Sequence, residues 1–591
     1  MRRDPRAHRR IGAVTPRART RWQVVARDGA DVVVVQLDAE LSELARERFA
    51  TPALPAWASA ATGDAPDARW VWNDTPGWYA DLVAAGVTIA RCHDLRLCHA
   101  ILRDSALVTD PAPLRAAHAW DAAPAEPDAD GRPALFDLEA GPDAPGGIPD
   151  DIESVLAELR RQLAAVAQAS DPDRLRLLLA AESAGALLAV ELHAAGMPWS
   201  RAVHESLLEE TLGARPAPGA VAPRVQELGA IVRAALGDPA ASLDSQPKLL
   251  RSLHRIGILA QSTSRWELAE YDHPVIAPLL QYKKLTRLVS ANGWAWLDEW
   301  AADGRFRPVY VPGGVVTGRW ASSGGGALQL PRQLRPAVRA DPGWMLVVAD
   351  VAQLEPRMLA AMASDRALAS AARGRDLYDG IVDSGIVSTR QEAKIAMLGA
   401  MYGATTGDSG RLVPALRRAY PRAMGLVDEA ARTGEEGGIV STWLGRSSPV
   451  AGDVWRDAQD RAGAPDATEA DRTRARRSAR DRGRFTRNFV VQGTAAEWAL
   501  AWLADLRGEL TLLPRVAEAD AAPASGPVFG RRAHLCFFLH DEIIVHTPAA
   551  HAALVAAAVQ RTAARAARLL FGEFPIDVPL DLRITTDAAK T

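Results

Sequence analysis

The sequence predicts an α+β protein of several domains, and three features lead to this expectation. A chain of 591 residues is long enough to bury several separate hydrophobic cores. Short apolar runs typical of buried strands occur in both halves, as at residues 31–37 and 344–351. Stretches with helical spacing lie between them, and residues 122–151, rich in Pro, Asp and Gly, have the composition of a linker.

The amino-terminal part shows alternating elements. The first 21 residues are rich in Arg and lack the apolar core of a secretory signal, so we expect a disordered basic tail over 1–21. Residues 22–121 alternate strand-like and helical runs, which predicts an α/β domain. After the linker at 122–151 we expect a connecting helix over 152–175.

The apolar run at 344–351 carries Asp350 near its end and is followed by the start of a helix. Pro356 is tolerated there only in the first helical turn, where its missing N–H costs nothing. Gln353 and Glu355 must then lie at the strand-to-helix junction and face the same site as Asp350. A carboxylate at the end of a buried strand is well placed to bind a metal.

Residues 390–403 contain no Pro and predict a helix. Four side chains recur every fourth position and form one stripe of two cations, an apolar residue and an aromatic ring. Such a stripe suits a nucleoside triphosphate, with its phosphates against the cations. An amphipathic helix with a solvated basic end is the alternative. The four residues are Arg390, Lys394, Leu398 and Tyr402.

His540, Asp541 and Glu542 lie between two apolar runs that are short enough to be buried strands. The sequence therefore predicts a hairpin whose tight turn holds a pair of carboxylates. An ordinary solvated turn between strands is the alternative for this segment taken alone.

In this order, the three segments resemble motifs A, B and C of the DNA polymerase I family, also called family A. The family's first motif reads Asp-Tyr-Ser-Gln-Ile-Glu-Leu-Arg, and this chain has Val and Ala at the second and third positions and Pro at the seventh, from Asp350 to Arg357. Its second motif, Arg-x3-Lys-x3-Phe-Gly-x2-Tyr-Gly, is matched from Arg390 to Gly403 with Leu for Phe. Its third, Val-His-Asp-Glu, appears as Leu-His-Asp-Glu at 539–542. The resemblance covers roughly residues 176–591.

The resemblance implies a right-hand polymerase with an antiparallel palm sheet and helical fingers and thumb. The polymerase domain would span 176–591, and a ribonuclease H-like α/β domain of the 3′–5′ exonuclease type would precede it at 22–121. The implied parts are a thumb at about 195–300, a palm at about 301–364 and 436–591, and fingers at about 365–435.

Site residues also follow from the resemblance. Asp350 and Asp541 would bind two Mg²⁺ ions, since hard oxygen ligands suit Mg²⁺ and phosphoryl transfer gains from two metals. Glu542 would be a supporting catalytic acid, and Glu355 looks like the steric gate against a ribose 2′-hydroxyl. The implied nucleotide-binding residues are Gln353, Glu355, Tyr378, Arg390, Lys394, Leu398 and Tyr402. The implied DNA-binding residues are Arg319, Gln329, Arg446, Asn488, Gln492 and His540.

The chain departs from the family pattern around the nucleotide. Val351 and Ala352 replace a Tyr and a Ser, and Leu398 replaces the aromatic residue that normally contacts the sugar. Tyr378 stands where the family usually has a His that touches the triphosphate. We expect weaker nucleotide binding and altered discrimination against dideoxynucleotides.

The amino-terminal domain lacks much of a nuclease site. Residues 93–102 resemble the second motif of the family's exonuclease domain, but the metal-binding Asp of that motif would fall at Cys98. No Tyr for the third motif occurs between Tyr79 and Tyr271, and only Asp38 and Glu40 have first-motif spacing. A proofreading site needs several carboxylates around two metals. We therefore expect a degenerate exonuclease fold kept as a scaffold.

These features predict a nucleotidyltransferase: a template-directed DNA polymerase that extends a primer 3′ end by two-metal phosphoryl transfer, in DNA replication or repair, without active proofreading. Its expected partners are primer-template DNA and deoxynucleoside triphosphates, and we expect a monomer. A single-subunit RNA polymerase usually carries Ser where this chain has Glu542. Two further classes of protein compete with this interpretation: a catalytically impaired DNA-binding relic, and an active bifunctional exonuclease and polymerase.

Composition limits the setting. The formal charge is only −3, so a DNA-binding surface must be a local basic patch. The strongest basic run, Arg472–Arg487, is either a contact with the duplex backbone or a solvated helix face or flexible insertion. Three scattered cysteines indicate a reducing compartment, and no apolar stretch is long enough to span a bilayer. We expect a cytoplasmic, nucleoid-associated protein.

Overall fold

The computed structural model describes residues 19–121, 147–326, 330–403 and 407–589. Most of the predicted tail at 1–21 and of the predicted linker at 122–151 lies outside the described residues, and so does Gln329. The chain forms two compact units: the first ends at Pro172, and the second begins at Asp173 and also includes Asp104–Ala106. Among the described residues, none of the helices combines the length and apolar character that a membrane crossing requires.

The first unit contains a mixed sheet flanked by helices. Its strands are β1 (Trp22–Asp28), β2 (Asp31–Leu37), β3 (Glu43–Ala50), β4 (Arg69–Trp72) and β5 (Cys92–Asp94). Its helices are α1 (Leu54–Asp64), α2 (Pro76–Ala84), α3 (Leu95–Asp104), α4 (Ala112–Arg115) and α5 (Ile152–Ala167).

The sheet of the first unit has the strand order β3-β2-β1-β4-β5. The first three strands pair antiparallel, whereas β4 runs parallel to β1 and to β5. The valines of β1 and β2 are buried, because β-branched side chains suit a covered, pleated surface. This mixed sheet confirms the predicted α/β character of residues 22–121.

Two helices occupy the region where one connecting helix was expected. Asp151 caps α5 by accepting a hydrogen bond from the backbone N–H of Ser154 at 2.9 Å. Val155, Leu156 and Leu159 of α5 belong to the core of the first unit, together with valines of β1 and β2. The next helix begins at Pro172, so the units are joined at residues 168–172 and the expected helix over 152–175 is interrupted there.

The second unit is larger and mostly helical. Its strands are β6 (Met197–Pro198), β7 (Arg305–Phe306), β8 (Val309–Val311), β9 (Ala321–Gly324), β10 (Trp344–Val351), β11 (His534–Leu539), β12 (Glu542–Pro548) and β13 (Leu580–Thr585). Its helices are α6 (Pro172–Ala195), α7 (Arg201–Leu212), α8 (Pro223–Ala235), α9 (Gln246–Arg255), α10 (Arg265–Leu268), α11 (Ile276–Asn292), α12 (Trp294–Trp300), α13 (Leu354–Met362), α14 (Arg366–Ala372), α15 (Leu377–Asp383), α16 (Arg390–Tyr402), α17 (Gly407–Ala419), α18 (Pro421–Glu435), α19 (Asp453–Gly463), α20 (Glu469–Leu512), α21 (Gly526–Phe529) and α22 (Ala552–Phe571).

A four-stranded antiparallel sheet in the order β11-β12-β10-β13 positions the candidate site. Leu346, Val347 and Val348 of β10 are buried, as the apolar run predicts. In the register of the sheet, Asp350 lies opposite Glu542 on one neighbour and Asp581 on the other. The carboxy-terminal end of β10 and the tip of the β11–β12 hairpin therefore lie side by side at one end of the strands.

The predicted helix at 390–403 is α16. Thr389 and Glu392 form a capping box at its first turn, and Gly403 ends it in the left-handed conformation with φ of 73°. Its apolar face joins a core shared by α13 to α18 and the middle of α20, which includes Met397 and Phe489. This face is fixed against the protein, so the polar stripe of α16 points the other way.

Helix α20 is one continuous helix of 44 residues. A capping box formed by Thr468 and Asp471 starts it, and its middle part is buried, with Trp498 and Trp502 inaccessible to solvent. It contacts α18 around residues 483–487 and α22 around residues 502–509. The basic run Arg472–Arg487 is therefore part of an ordered helix.

Candidate active site

The tip of the β11–β12 hairpin carries His540 and Asp541. His540 has φ of 56°, and the backbone N–H of Asp541 donates to the carbonyl of Leu539 at 2.7 Å, so the turn is tight. The N–H of Val351 donates to the carbonyl of Asp541 at 3.0 Å. This bond ties the tip to the end of β10 and brings Asp350 beside Asp541, as the motifs predict.

The two carboxylates affect each other electrostatically. Burial and, after it, the neighbouring Asp350 carboxylate raise the pKa of Asp541 to about 6. Two close anions with hard oxygen donors fit a divalent cation, which would relieve their repulsion. Within the described ranges, no group of three or more His, Cys, Asp and Glu side chains is arranged to hold a metal ion. Further ligands for Mg²⁺ would have to be water and phosphate oxygens, which this ion commonly keeps.

Glu542, the residue after Asp541, is buried inside the protein. Both of its carboxylate oxygens accept hydrogen bonds from Arg335, one of them at 2.5 Å from Nη2. Each side chain of this ion pair is only 4% exposed. Sequence analysis missed Arg335, because nothing in its neighbourhood distinguishes it from the exposed Arg332 and Arg339.

A cavity of about 310 Å³ opens beside the hairpin tip. Its wall combines the strand-to-helix junction after β10 with parts of α15, α16 and α20 and with the hairpin itself. Eight of the predicted catalytic, nucleotide-binding and DNA-binding residues therefore share one wall. These are Arg319, Gln353, Glu355, Tyr378, Leu398, Tyr402, His540 and Asp541.

Glu355 is held from two sides within this cavity. Arg319 Nη2 donates to Oε1 of Glu355, and the hydroxyl of Tyr402 donates to Oε2. Burial, and then the Glu355 carboxylate, raise the pKa of Tyr402, which also shares a side-chain hydrogen bond with Gln492. The predicted sugar gate therefore has a fixed orientation.

Asp376 accepts hydrogen bonds from two residues that were predicted to bind the nucleotide, Arg390 and Gln353. Arg390 Nη2 donates to Asp376 Oδ2 at 2.7 Å, and Gln353 Nε2 donates to the same oxygen at 2.9 Å. Asp376 also caps α15 through the backbone N–H groups of Tyr378 and Asp379. Motif reasoning missed Asp376, although an Asp directly before a helical run is a capping signal.

Tyr378 lies under Arg390. The guanidinium carbon of Arg390 is 5.4 Å from the centre of the Tyr378 ring, a cation–π geometry. Burial, more than the nearby Asp376 and Glu355 carboxylates, raises the pKa of Tyr378 to about 12. Lys394 is exposed one turn after Arg390, and Leu398 is half-buried on the cavity wall.

Two of the predicted DNA-contacting residues, Arg446 and Asn488, are largely enclosed by the protein. Arg446 Nη2 donates to Glu182 Oε2 at 2.7 Å, and only 12% of the Arg446 side chain is exposed. Gly318 has φ of 84°, and a Cβ there would lie 2.5 Å from Arg446 Nε. Arg446 thus supports the turn that presents Arg319. Asn488 Oδ1 is buried and lacks a hydrogen-bond partner among the described residues.

The basic run on α20 lines a separate cavity of about 350 Å³. Arg477, Arg480, Arg484 and Arg487 contribute four cations, and Glu435 and Asp481 contribute acidic groups to its wall. Arg484 pairs with Asp481, and Arg487 pairs with Asp428 outside that wall. The run is therefore partly neutralised within the protein.

In the first unit, the residues at the positions that resemble nuclease motifs contact their own sequence neighbours. Asp38 Oδ1 accepts hydrogen bonds from the backbone N–H of Glu40 at 3.0 Å and of Ser42 at 2.8 Å. This carboxylate therefore stabilises the turn between β2 and β3. Cys98 is fully buried, with its sulfur 3.8 Å from His93 Nδ1.

Comparisons with known proteins assign a family, and the family model lies within the second unit. A family model described as DNA polymerase family A matches residues 248–589. A thermostable DNA polymerase I from Thermus thermophilus is 27% identical over 361 residues, which are 56% of this chain and 38% of the relative. DNA polymerase I from Chloroflexus aurantiacus is 28% identical over 303 residues, 47% of this chain and 28% of the relative. The chain thus spans well under half the length of each of these two curated relatives.

A solved structure shares the fold. The POL domain of Pol1 from M. smegmatis, in complex with DNA primer-template and dNTP, matches with a TM-score of 0.65. The match covers 96% of both chains at 16% sequence identity.

Proposed function

The chain belongs to DNA polymerase family A, and on this premise we propose that it is a template-directed DNA polymerase extending the 3′ end of a primer. The observation that carries the proposal is the convergence of Asp350 and Asp541 beside a cavity that also presents Arg319, Glu355 and Tyr402. A deoxynucleoside triphosphate fits this arrangement, with its phosphates near the two aspartates and its sugar and base against the partly apolar wall that holds Glu355. The neighbour with this fold is described with DNA primer-template and dNTP, which supports the same ligands here.

The proposed chemistry is phosphoryl transfer at the two aspartates. Two Mg²⁺ ions bound at Asp350 and Asp541 would supply charge stabilisation for the attacking and leaving oxygens. The hairpin tip holds Asp541 in place through the backbone bond from Val351. Glu542, bonded to Arg335, supports the hairpin from inside.

Nucleotide selection would depend on the Glu355 cluster and on α16. With both carboxylate oxygens engaged, Glu355 cannot easily move aside for a 2′-hydroxyl. Arg390 would exchange its bond with Asp376 for a phosphate oxygen, and Lys394 would add a second cation. Leu398, Tyr402, Tyr378 and Gln353 would complete the walls around sugar and base.

The remaining assignments belong to the same proposal. Arg319, Gln329, Arg446, Asn488, Gln492 and His540 would contact phosphates, sugars or the minor groove, which positions a duplex without reading its sequence. We also propose that the protein acts as a monomer at the nucleoid in the cytoplasm. The turn formed by Asp38 and the burial of Cys98 support a first unit without proofreading.

Extension of a 5′-labelled primer tests the proposal. The chain is assayed with Mg²⁺ and either deoxynucleotides or ribonucleotides, and without nucleotides, beside Asp541→Ala and the matched control Asp460→Ala on exposed α19. We expect extension with deoxynucleotides only, abolished by Asp541→Ala alone, and no primer shortening.

Each contrary result points to a different protein class. DNA binding without extension would indicate a relic, and extension with ribonucleotides would indicate an RNA polymerase. Primer shortening that Asp541→Ala leaves intact would contradict the absence of proofreading.

A further inference from the structure

We propose that Arg335 is a positioning residue for the catalytic hairpin: by neutralising Glu542 inside the protein, it keeps the Asp541 carboxylate beside Asp350. This inference rests on the proposed function and deepens it. It changes the role of Glu542 from a supporting catalytic acid to a buried group through which Arg335 positions the hairpin.

The geometry of the pair is the first argument. The two residues lie 207 positions apart, yet Arg335 binds both oxygens of Glu542 in the paired arrangement that a planar guanidinium favours. Both side chains are almost fully enclosed. A bidentate contact fixes the orientation of Glu542 as well as its charge.

The surrounding charges are the second argument. Glu542 follows Asp541 directly in sequence and lies opposite Asp350 in the β10–β12 register. Asp581 lies opposite Asp350 on the other neighbouring strand. Four carboxylates therefore lie at this end of the sheet, and like charges placed opposite one another on neighbouring strands repel. A buried carboxylate also requires a partner to remain charged. Arg335 supplies the positive charge from within.

The anchoring of Arg335 is the third argument. It belongs to a 3₁₀ turn, Arg332–Ala337, in which Leu334 and Ala337 are buried. The carbonyl of Ala337 also accepts a hydrogen bond from the backbone N–H of Ser200 at 2.6 Å. The turn is thus fixed from α7, and Arg335 transmits that fixed position to the first residue of β12.

A double-mutant cycle tests the inference. Arg335→Met, Glu542→Gln, the double variant and Arg335→Lys are compared in single-nucleotide incorporation, with Arg339→Met as an exposed control from the same segment. Mn²⁺ binding to each protein–DNA complex is measured by electron paramagnetic resonance, and folding by thermal unfolding.

We expect Arg335→Met to lower kcat about 100-fold with KM for the nucleotide within about threefold, because the aspartates lose their arrangement. Glu542→Gln should raise kcat at least tenfold when it is added to Arg335→Met, since it removes the charge that Arg335 no longer neutralises. Glu542→Gln alone should bind Mn²⁺ as wild type does. Arg335→Lys should retain folding and lie between wild type and Arg335→Met in kcat.

Contrary outcomes separate the two proposals. A wild-type chain that extends no primer would refute the proposed function and the positioning role together. An active wild type with unchanged kcat in Arg335→Met and Arg335→Lys would refute the positioning role alone. Loss of Mn²⁺ binding in Glu542→Gln, with no rescue in the double variant, would show that Glu542 meets the metal directly.

Discussion

Tyr402 donates a hydrogen bond to Glu355 from 47 positions further along the chain, and Arg319 binds the other oxygen of the same carboxylate. These contacts join three segments of the second unit at one side chain. Because Glu355 is the proposed gate against ribonucleotides, its orientation depends on both partners.

Removing the hydroxyl of Tyr402 should weaken selection of the sugar. Tyr402→Phe keeps the ring on the cavity wall but frees one oxygen of Glu355. A hydrogen bond to a charged group contributes about 1.5–3 kcal/mol, so we expect the ratio of kcat/KM for dCTP over CTP to fall about tenfold. Tyr420→Phe is the control, since that hydroxyl contacts Ser384 instead. An unchanged ratio in Tyr402→Phe would contradict the gate.

An aromatic residue at position 398 should improve nucleotide binding. Leu398 is half-buried on the cavity wall beside Tyr402 and Tyr378. Leu398→Phe adds a ring that can contact the sugar, and we expect KM for the deoxynucleotide to fall about threefold, consistent with about 0.5–1.5 kcal/mol for an aromatic contact. Steady-state kinetics with dNTP and ddNTP measure this effect. Leu398→Met, which conserves the volume and adds no ring, is the control. An unchanged or raised KM in Leu398→Phe would count against the idea.

Neutralising Asp350 should abolish chemistry but not DNA binding. Asp350→Asn removes one of the two anions that fit a metal at the edge of the sheet, and several kcal/mol of charge stabilisation is then lost. We expect kcat to fall about 1,000-fold or more, with primer-template affinity within about threefold. Rapid-quench kinetics and fluorescence anisotropy separate the two effects. Near-normal turnover in Asp350→Asn would exclude a metal role for this carboxylate.

Helix α18 contains a matched pair of glycines. A Cβ on Gly434 would lie 2.1 Å from Thr486 Oγ1 on α20, whereas a Cβ on Gly425 would meet nothing within 4 Å. Gly434→Ala should therefore lower the free energy of unfolding by about 1–3 kcal/mol through overpacking. Gly425→Ala should raise it by about 0.5–1 kcal/mol, because Gly weakens a helix interior. Urea unfolding of both variants measures the contrast, which should vanish if α18 and α20 are not in contact.

Glu497 should make stability depend on pH. It is buried on α20, where it accepts hydrogen bonds from Thr442 Oγ1 and the backbone N–H of Leu444, and burial raises its pKa to about 7 from the usual 4.5. The folded protein keeps this proton up to about pH 7, while an unfolded chain releases it near pH 4.5. The contribution of Glu497 to the free energy of unfolding therefore falls as pH rises from 5 to 7, by up to about 1.4 kcal/mol per unit.

The matched substitution isolates that contribution. Glu497→Gln has a similar size and no titrating group, so its unfolding free energy should vary less between pH 5 and 7 than that of the wild type. Denaturant unfolding at pH 5, 6 and 7 gives the slopes, with the exposed Glu270→Gln as control. Equal slopes in Glu497→Gln and wild type would show that Glu497 is ionised in the folded protein.

Local patterns in the sequence predicted the elements that carry the site. The apolar run before Asp350, the Pro-free stretch of α16 and the turn at His540 and Asp541 each have a periodicity or a turn signal within about ten residues. The structure confirms each of them as strand, helix and hairpin. The sequence was therefore enough to predict that Asp350 and Asp541 lie close together, once the three motifs were recognised as those of one family.

Pairings between distant side chains could not be predicted in this way. Arg335 and Glu542 lie 207 positions apart, and Arg446 and Glu182 lie 264 apart. Nothing near any of these residues indicates burial or a partner, because the contact exists only after the chain has folded. The same limit applies to Arg446, whose bond with Glu182 nothing in the nearby sequence indicates.

Helix α20 is long enough for a small change in its direction to be measurable at its ends. Its 44 residues correspond to a length of about 66 Å at about 1.5 Å per residue. A tilt of only about 5° about one end of such a rod would move the other end by about 6 Å. Trp498 lies 11–26 residues beyond the basic run, or about 16–39 Å along the axis, so the same tilt about the basic run would shift it by only about 1–3 Å.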